Sequence, residues 1–213
     1  DEKLAKAVNF EHVKYIVQST RCRIIYPNTN SGYGVSDGEA HCTEETPLAP
    51  ISVYGKTKCD AEEWVLGAGH TSLRLATVFG TSYRFRKDLL VNDFVLRAVT
   101  DSCITLFESS FKRNFIHIRD VAHAFIHMFG HRSHPNTEGT TIFIDDDNNP
   151  FNPYGQSYNV GLSSANFSKF ELCSNFCSHF VPKFESLKFE LHFSNFEKFE
   201  AWFLKPERWW VKP

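Results

Sequence analysis

Apolar residues recur at helical spacing from the start of the chain. Leu4, Val8, His12, Tyr15 and Ile16 fall on roughly one face and predict an amphipathic helix over about residues 3–20. Arg23–Tyr26 closes in a short apolar run stopped by Pro27, which predicts a buried strand. Residues 28–50 are dense in Asn, Ser, Gly, Thr and Pro and predict loop. Pro50 then leads into a second predicted helix from Ile51 to about Leu66, ended by Gly67 and Gly69. Ser72–Phe79 predicts a strand, followed by Gly80 and a basic loop holding Arg84, Arg86 and Lys87. Asp88 is placed to cap a helix running to about Val99. Short strands are predicted at Cys103–Phe107 and Phe115–Ile118, a helix at Arg119–Phe129, and strands at Thr141–Ile144 and Ser157–Val160, parted by an Asp145–Gly155 linker. This alternation predicts an α/β layered fold.

The C-terminal stretch has a different texture. Ten of the 21 phenylalanines lie between residues 165 and 213. They predict a helix over Asn166–Phe180, a strand over Leu187–Phe193 and a short helix through Phe196, Phe199 and Phe203. We therefore divide the chain into residues 1–145 and a small α+β lobe, 146–213. The phenylalanine spacing is irregular and matches no solenoid repeat.

Composition narrows the class. With 213 residues, 42% hydrophobic and 23% charged, the chain has the means for a folded core and none of the signature of disorder. A net charge of −2 gives no general attraction to nucleic acid or to an anionic membrane, and neither is expected as a partner. The six cysteines, at 22, 42, 59, 103, 173 and 177, lack zinc-site spacing and suit free thiols in a reducing compartment. No run approaches the ~20 apolar residues of a membrane span and no signal peptide opens the chain, so a cytoplasmic location is expected. The chain opens at Asp1 directly in helical pattern, and an upstream segment is expected to be missing.

Tyr54 and Lys58 stand four apart near the start of the second predicted helix, so both project from one face. An ammonium beside a phenol favours the phenolate and brings a tyrosine towards acid/base work near neutral pH. A hydroxyl converging on the same substrate oxygen would complete such a site, and Thr29 is the candidate.

The surrounding residues extend this pair into a series of motifs. Arg23-Ile-Ile-Tyr-Pro-Asn-Thr-Asn-Ser-Gly-Tyr-Gly34, Thr43-Glu-Glu-Thr-Pro-Leu-Ala-Pro50 and Ser52-Val-Tyr-Gly-Lys-Thr-Lys58 resemble the active-site stretch of the extended short-chain dehydrogenases, the NAD-dependent sugar-nucleotide epimerases and dehydratases. Ser72-Leu-Arg-Leu-Ala-Thr-Val-Phe-Gly80, Val91-Asn-Asp-Phe94 and Lys112-Arg-Asn-Phe-Ile-His-Ile-Arg-Asp-Val-Ala122 resemble later segments of that family in the same order. The resemblance covers about residues 8–165. It implies a partial Rossmann-like fold, a doubly wound parallel sheet, with 146–213 as a substrate-side lobe.

The resemblance also implies roles. Tyr54 is the acid/base, Lys58 binds the nicotinamide ribose and Thr29 fills the catalytic Ser/Thr position. Asn28 and the Val78 backbone lie near the nicotinamide; Thr29, Thr77, Asn92 and Arg113 face the sugar nucleotide, Arg113 pairing its phosphates. NAD is the implied cofactor, with the choice between NAD and NADP left open. Family members pass a hydride from a sugar carbon to NAD while the tyrosine takes the hydroxyl proton; epimerases return the hydride to the other face, and dehydratases first eliminate water. A homodimer built from the first two helices is implied as well.

Two departures stand beside this. Thr77 holds a place where the family often has Asn, and no G-x-x-G-x-x-G occurs in the chain. The missing loop motivates an alternative expectation, a non-catalytic remnant or fragment acting as a binding or scaffold protein. Sheet edges left open by missing strands predict low stability. His123 and His127, four apart on a helix, lack the glutamate of a metalloprotease pattern and read as a helix face. His117, His131 and His134 add no pattern, and Asp145–Asn149 lacks the terminal glutamate of a calcium loop. Arg84, Arg86 and Lys87 suit either nucleotide phosphates or a solvated loop, and Trp209–Trp210 a packing anchor. No metal is expected.

Overall fold

Asp1 caps the first helix by accepting hydrogen bonds from the Lys3 and Leu4 amides at 2.9 and 3.3 Å. The computed structural model describes residues 1–35, 42–101, 103–130, 134–135, 141–144, 150–151, 154–162 and 165–180. The expectations for Asp145–Asn149, His131, Leu187–Phe193, Phe196–Phe203 and Trp209–Trp210 lie outside those residues. The N-terminal helix is α1 (Glu2–Lys6), which passes through a π-type turn at Ala7–Glu11 into α2 (His12–Ser19). Its packed face differs from the expected one. Phe10, Val13 and Val17 lie against Ala61 and Val65, whereas Leu4, Val8 and Tyr15 are 62%, 57% and 65% exposed on the opposite side. The helix carries two apolar stripes, and the one made by Phe10, Val13 and Val17 is the packed one among the described residues.

β1 (Ile25–Thr29) runs through Pro27 instead of stopping before it. The reason is backbone direction. The Thr71 amide donates to the Ile24 carbonyl at 3.1 Å, so residues 24, 26 and 28 address the neighbouring strand and Pro27 faces away, where its missing N–H costs no ladder bond. A 3₁₀ turn at Asn30–Tyr33 follows, then α3 (Val53–Gly67), whose cap Ser52 accepts from the Gly55 amide at 3.0 Å. β2 (Thr71–Leu75) lies parallel to β1 in the register Ile25↔Thr71 to Thr29↔Leu75.

The single strand expected over Ser72–Phe79 is two. At Ala76 the amide donates to the Val160 carbonyl, and the chain leaves one sheet for another. β3 (Thr77–Phe79) pairs in parallel with β4 (Lys112–His117), Val78 opposite Ile116. β8 (Ser157–Val160) closes the first sheet, in the order β1-β2-β8 and parallel throughout. α5 (Ile118–Gly130) covers it, with Met128 against Ile25 and Leu73, and Val121 against Ala76 and Ile116. Short antiparallel pairs join β5 (His134–Pro135), β6 (Thr141–Ile144) and β7 (Pro150–Phe151).

The chain divides into two units, Asp1–Gly80 with Asn114–Ala165 and Thr81–Arg113 with Asn166–Pro213. In the second, α4 (Leu90–Thr100) starts after Leu89 without a side-chain cap, because the Asp88 carboxylate is taken by Arg86 at 2.6 and 2.7 Å. Cys103–Phe107 forms no strand; the segment ends in a turn around Glu108, which holds a left-handed φ of 49°. The helix expected from Asn166 begins later. β9 (Asn166–Ser168) precedes α6 (Lys169–Phe180), and a capping box sets the boundary: the Glu171 amide donates to Ser168 Oγ at 3.1 Å and the Ser168 amide to Glu171 Oε2 at 2.7 Å.

Candidate active site

The C-terminal end of β1 delivers Asn28 and Thr29. Thr29 Oγ1 accepts from the Ser31 amide at 3.2 Å and donates to Ser31 Oγ at 3.1 Å, so the candidate catalytic hydroxyl also caps the turn that follows it. That turn comes back onto the start of α3. A Cβ at Gly55 would stand 3.2 Å from the Ser31 carbonyl and 3.0 Å from the Pro50 Cβ, so a larger residue there would require these neighbours to give by a few tenths of an ångström. Gly34 makes a sharper demand: φ is +75°, and an added Cβ would strike the Ala49 carbonyl.

Tyr54 and Lys58 lie one turn apart on α3. Tyr54 is half exposed. Lys58 Nζ donates to the Pro27 carbonyl at 2.6 Å and lies 4.0 Å from the centre of the Tyr26 ring, which brings it to the β1 segment carrying Asn28 and Thr29. Burial draws the Lys58 pKa down to about 8, and the Glu62 carboxylate opposes that fall. Burial pushes the Tyr26 phenol well up, helped by the charges of Tyr54 and Glu62.

Beneath the pair lies a network that no motif announces. Glu62 and Arg74 are 2% and 7% exposed and form a two-pronged ion pair, Arg74 Nη2 to Oε2 at 2.9 Å and Nε to both carboxylate oxygens at 3.1 Å. Ser72 Oγ adds a bond to Oε1 at 2.6 Å. Burial alone would raise the Glu62 pKa, but the bonds from Arg74 and Ser72 outweigh it and hold the carboxyl below its ordinary value. The buried Asn28 amide adds to this, although neither of its polar atoms makes a hydrogen bond of full geometry. Arg74 Nη1 reaches on to the Tyr33 hydroxyl at 2.8 Å and the Glu44 carbonyl at 3.1 Å. Tyr33 donates to Asn159 Oδ1 at 2.7 Å, and the Asn159 amide to Glu44 Oε1 at 2.7 Å. The available sequence signals are an arginine inside an apolar strand and a glutamate one turn beyond Lys58.

The remaining expected site residues are distributed more widely. Thr77 and Val78 sit on β3, Val78 packed against Ala76, Ile116 and Val121. Asn92 and Arg113 belong to the second unit. Asn92 is buried on α4 and its amide donates to the Arg86 carbonyl at 3.0 Å, while Arg113 is exposed on β4. Thr29, Asn28, Tyr54 and Lys58 thus share one region of the first unit, with Thr77 and Val78 on β3, in another sheet. His123 and His127 are exposed on α5. Among the described residues no group of three or more His, Cys, Asp or Glu is arranged to hold a metal ion, and no helix is long and apolar enough to cross a membrane.

Residues 4–161 match the profile of the NAD dependent epimerase/dehydratase family. Among solved structures, dTDP-glucose 4,6-dehydratase from Bacillus anthracis in complex with NAD is similar at 18% identity and a TM-score of 0.65, over 81% of this chain and 52% of that one. ADP-L-glycero-D-manno-heptose-6-epimerase from Helicobacter pylori matches at 23% identity and 0.64, over 84% and 53%. UDP-glucuronic acid 4-epimerase from Bacillus cereus, in complex with UDP-glucuronic acid and NAD, matches at 20% and 0.62, over 80% and 50%. The chain spans about half the length of these structures, and at such identities the likeness carries the fold, a Rossmann-like α/β arrangement.

Proposed function

The chain belongs to the NAD dependent epimerase/dehydratase family, and on that footing we propose that it carries the tyrosine-centred half of a sugar-nucleotide epimerase or dehydratase site. The observation that carries this reading is Lys58 Nζ resting on the Pro27 carbonyl, beside Asn28 and Thr29 and one turn from Tyr54. In it, Tyr54 Oη takes or returns the proton of a sugar hydroxyl, Thr29 Oγ1 hydrogen-bonds the same oxygen, and the Lys58 ammonium favours the tyrosinate. Thr77, Asn92 and Arg113 face the sugar nucleotide. The catalytic residues fall within 1–145, and the substrate side is assigned to 146–213 apart from β8, which belongs to the parallel sheet of the first unit.

The buried Asn28 amide, without a full-geometry partner, suits a nicotinamide end, and Lys58 suits the ribose hydroxyls. Asn28, Lys58, Tyr54 and the Val78 backbone would hold that end of NAD. NAD, when bound, supplies the hydride acceptor. Similar structures solved with NAD, one of them with UDP-glucuronic acid as well, support the ligand class. A homodimer fits the exposed Leu4, Val8 and Tyr15 stripe, which a second copy would cover; the cytoplasmic location belongs to this reading as an expectation from the sequence.

A second reading, a non-catalytic binding or scaffold member, is motivated by the lack of a G-x-x-G-x-x-G motif in this sequence. Calorimetry with NAD separates the two. A Kd in roughly the micromolar range supports the enzyme, and no binding supports the remnant or a fragment. Where turnover of a sugar nucleotide is measurable, Tyr54→Phe is expected to lower it about 100-fold or more with the fold retained; unchanged turnover overturns the acid/base assignment.

A further inference from the structure

We propose that Arg74 is a positioning residue for the Thr29 hydroxyl: its buried guanidinium on β2 grips Glu62 of α3 with one edge and the Tyr33 hydroxyl with the other, and so ties the turn capped by Thr29 to the helix that carries Tyr54 and Lys58. The proposal deepens the reading above and rests on it for the roles of Thr29 and Tyr54.

The turn is the weak part of the site. Asn30–Tyr33 is a single stretch of 3₁₀ helix, too short to hold its own shape, and its closing bond from the Gly34 amide to the Ser31 carbonyl is long at 3.4 Å. At its N-terminal end Thr29 Oγ1 accepts from the Ser31 amide at 3.2 Å, so the orientation of that hydroxyl depends on whether the turn stays wound. The middle is seated by the Ala49 amide, which donates to the Gly32 carbonyl at 2.9 Å, and by Gly32 itself, where a Cβ would come within 2.8 Å of Cys59 Sγ on α3. At the C-terminal end Tyr33 is the anchor. Its hydroxyl accepts from Arg74 Nη1 at 2.8 Å and donates to Asn159 Oδ1 on β8 at 2.7 Å. Burial outweighs both bonds and lifts the phenol above its ordinary pKa, so the hydroxyl keeps the proton it shares with Asn159.

Neutralising Glu62 asks less of Arg74 than the structure shows. Nε and Nη2, one edge of the guanidinium, already meet the carboxylate, and a lysine would meet its charge as well. Nη1 leaves the pair and crosses to the Tyr33 hydroxyl and the Glu44 carbonyl, 2.8 and 3.1 Å away. A guanidinium is planar and its nitrogens keep a fixed spacing, so elements bonded to its two edges are held in one register. Arg74 is itself buried, on the strand that lies between β1 and β8. The elements bearing Thr29 and Tyr54 are thereby fastened to one group.

The test is nuclear magnetic resonance on the isotopically labelled full chain, with no ligand added. Three-bond couplings across the Thr29 Cα–Cβ bond report whether its hydroxyl holds one rotamer. Amide hydrogen exchange at Ser31 reports whether the turn stays wound, with the Thr71 amide, bonded to the Ile24 carbonyl at 3.1 Å, as internal reference. Tyr33→Phe removes the hydroxyl but keeps the ring, whose centre lies 5.3 Å from the Arg74 guanidinium, and leaves the Glu62 ion pair intact. It is expected to raise Ser31 exchange about tenfold relative to Thr71 and to average the Thr29 couplings. Arg74→Lys, which keeps a cation beside Glu62 but offers no fork, is expected to do the same, and it decides the matter where Tyr33→Phe fails to fold. A merely structural Arg74 would lower the melting temperature of the lysine variant and leave the Thr29 couplings as they are. Unchanged couplings and an unchanged Ser31-to-Thr71 ratio in either folded variant overturn the proposal. Because neither NAD nor a sugar nucleotide is present, that outcome is distinct from a failure of the catalytic reading, which NAD calorimetry and Tyr54→Phe address.

Discussion

Lys58 stands under opposed demands. Burial favours its neutral amine, and the Pro27 carbonyl and Tyr26 ring offer a cation a place to rest. With a folded pKa of about 8 against 10.5 ordinarily, the unfolded chain holds a proton here that the folded chain has shed between those values. Stability from this group therefore rises with pH from about 8, until the raised Tyr26 phenol, which stays protonated when folded, opposes it as pH passes 10. Melting temperatures across this range should rise and then fall, and Lys58→Met should flatten the rising limb. Glu108 offers a separate test. Its left-handed φ of 49° strains a side chain that is exposed and makes only a 4.0 Å ion pair with Lys169. Glu108→Gly is expected to stabilise the fold by about 0.5–1 kcal/mol in urea titration; a destabilisation would mean the ion pair matters more than the strain.

At the scale of elements, the site depends on the connection between β1 and α3 as much as on the helix itself. Thr29 caps the turn, the turn returns onto Gly55, and Ser52 caps α3. Gly34 is the joint with least freedom, since its φ and the Ala49 carbonyl both forbid a side chain. Gly34→Ala is expected to cost about 2 kcal/mol or more, measured by urea unfolding. The strands show why local pattern and ladder differ. The run from Ser72 to Phe79 is uniformly suited to extended structure, yet it changes partners at Ala76, because the strands that pair with each half come from distant parts of the chain.

At the scale of the molecule, the N-terminal helix presents Leu4, Val8 and Tyr15 to solvent while its other stripe packs on α3. An apolar stripe of this kind is a candidate for covering by another chain. Light scattering is expected to report a dimer, and Leu4→Asp with Val8→Asp a monomer with the first unit still folded. A wild-type monomer at high concentration would remove the dimer from the proposal.

Local chemistry along the sequence suffices for most helix and strand types, the exit glycines and the Tyr54–Lys58 pair, because each depends on spacing of a few residues; it fails at Cys103–Phe107, which forms no strand, and at Asn166–Ser168, which is strand and not helix. The ordered motifs suffice for the family. Pairing belongs to the tertiary structure alone: which stripe of the first helix is packed, why Pro27 is tolerated inside β1, and where Asp88 spends its charge. So does the ion pair of Glu62 and Arg74, whose members lie on different elements and acquire their strength only when folding removes both from water. Spacing in sequence can place two side chains on one face, but it cannot supply the partner that meets them from another element.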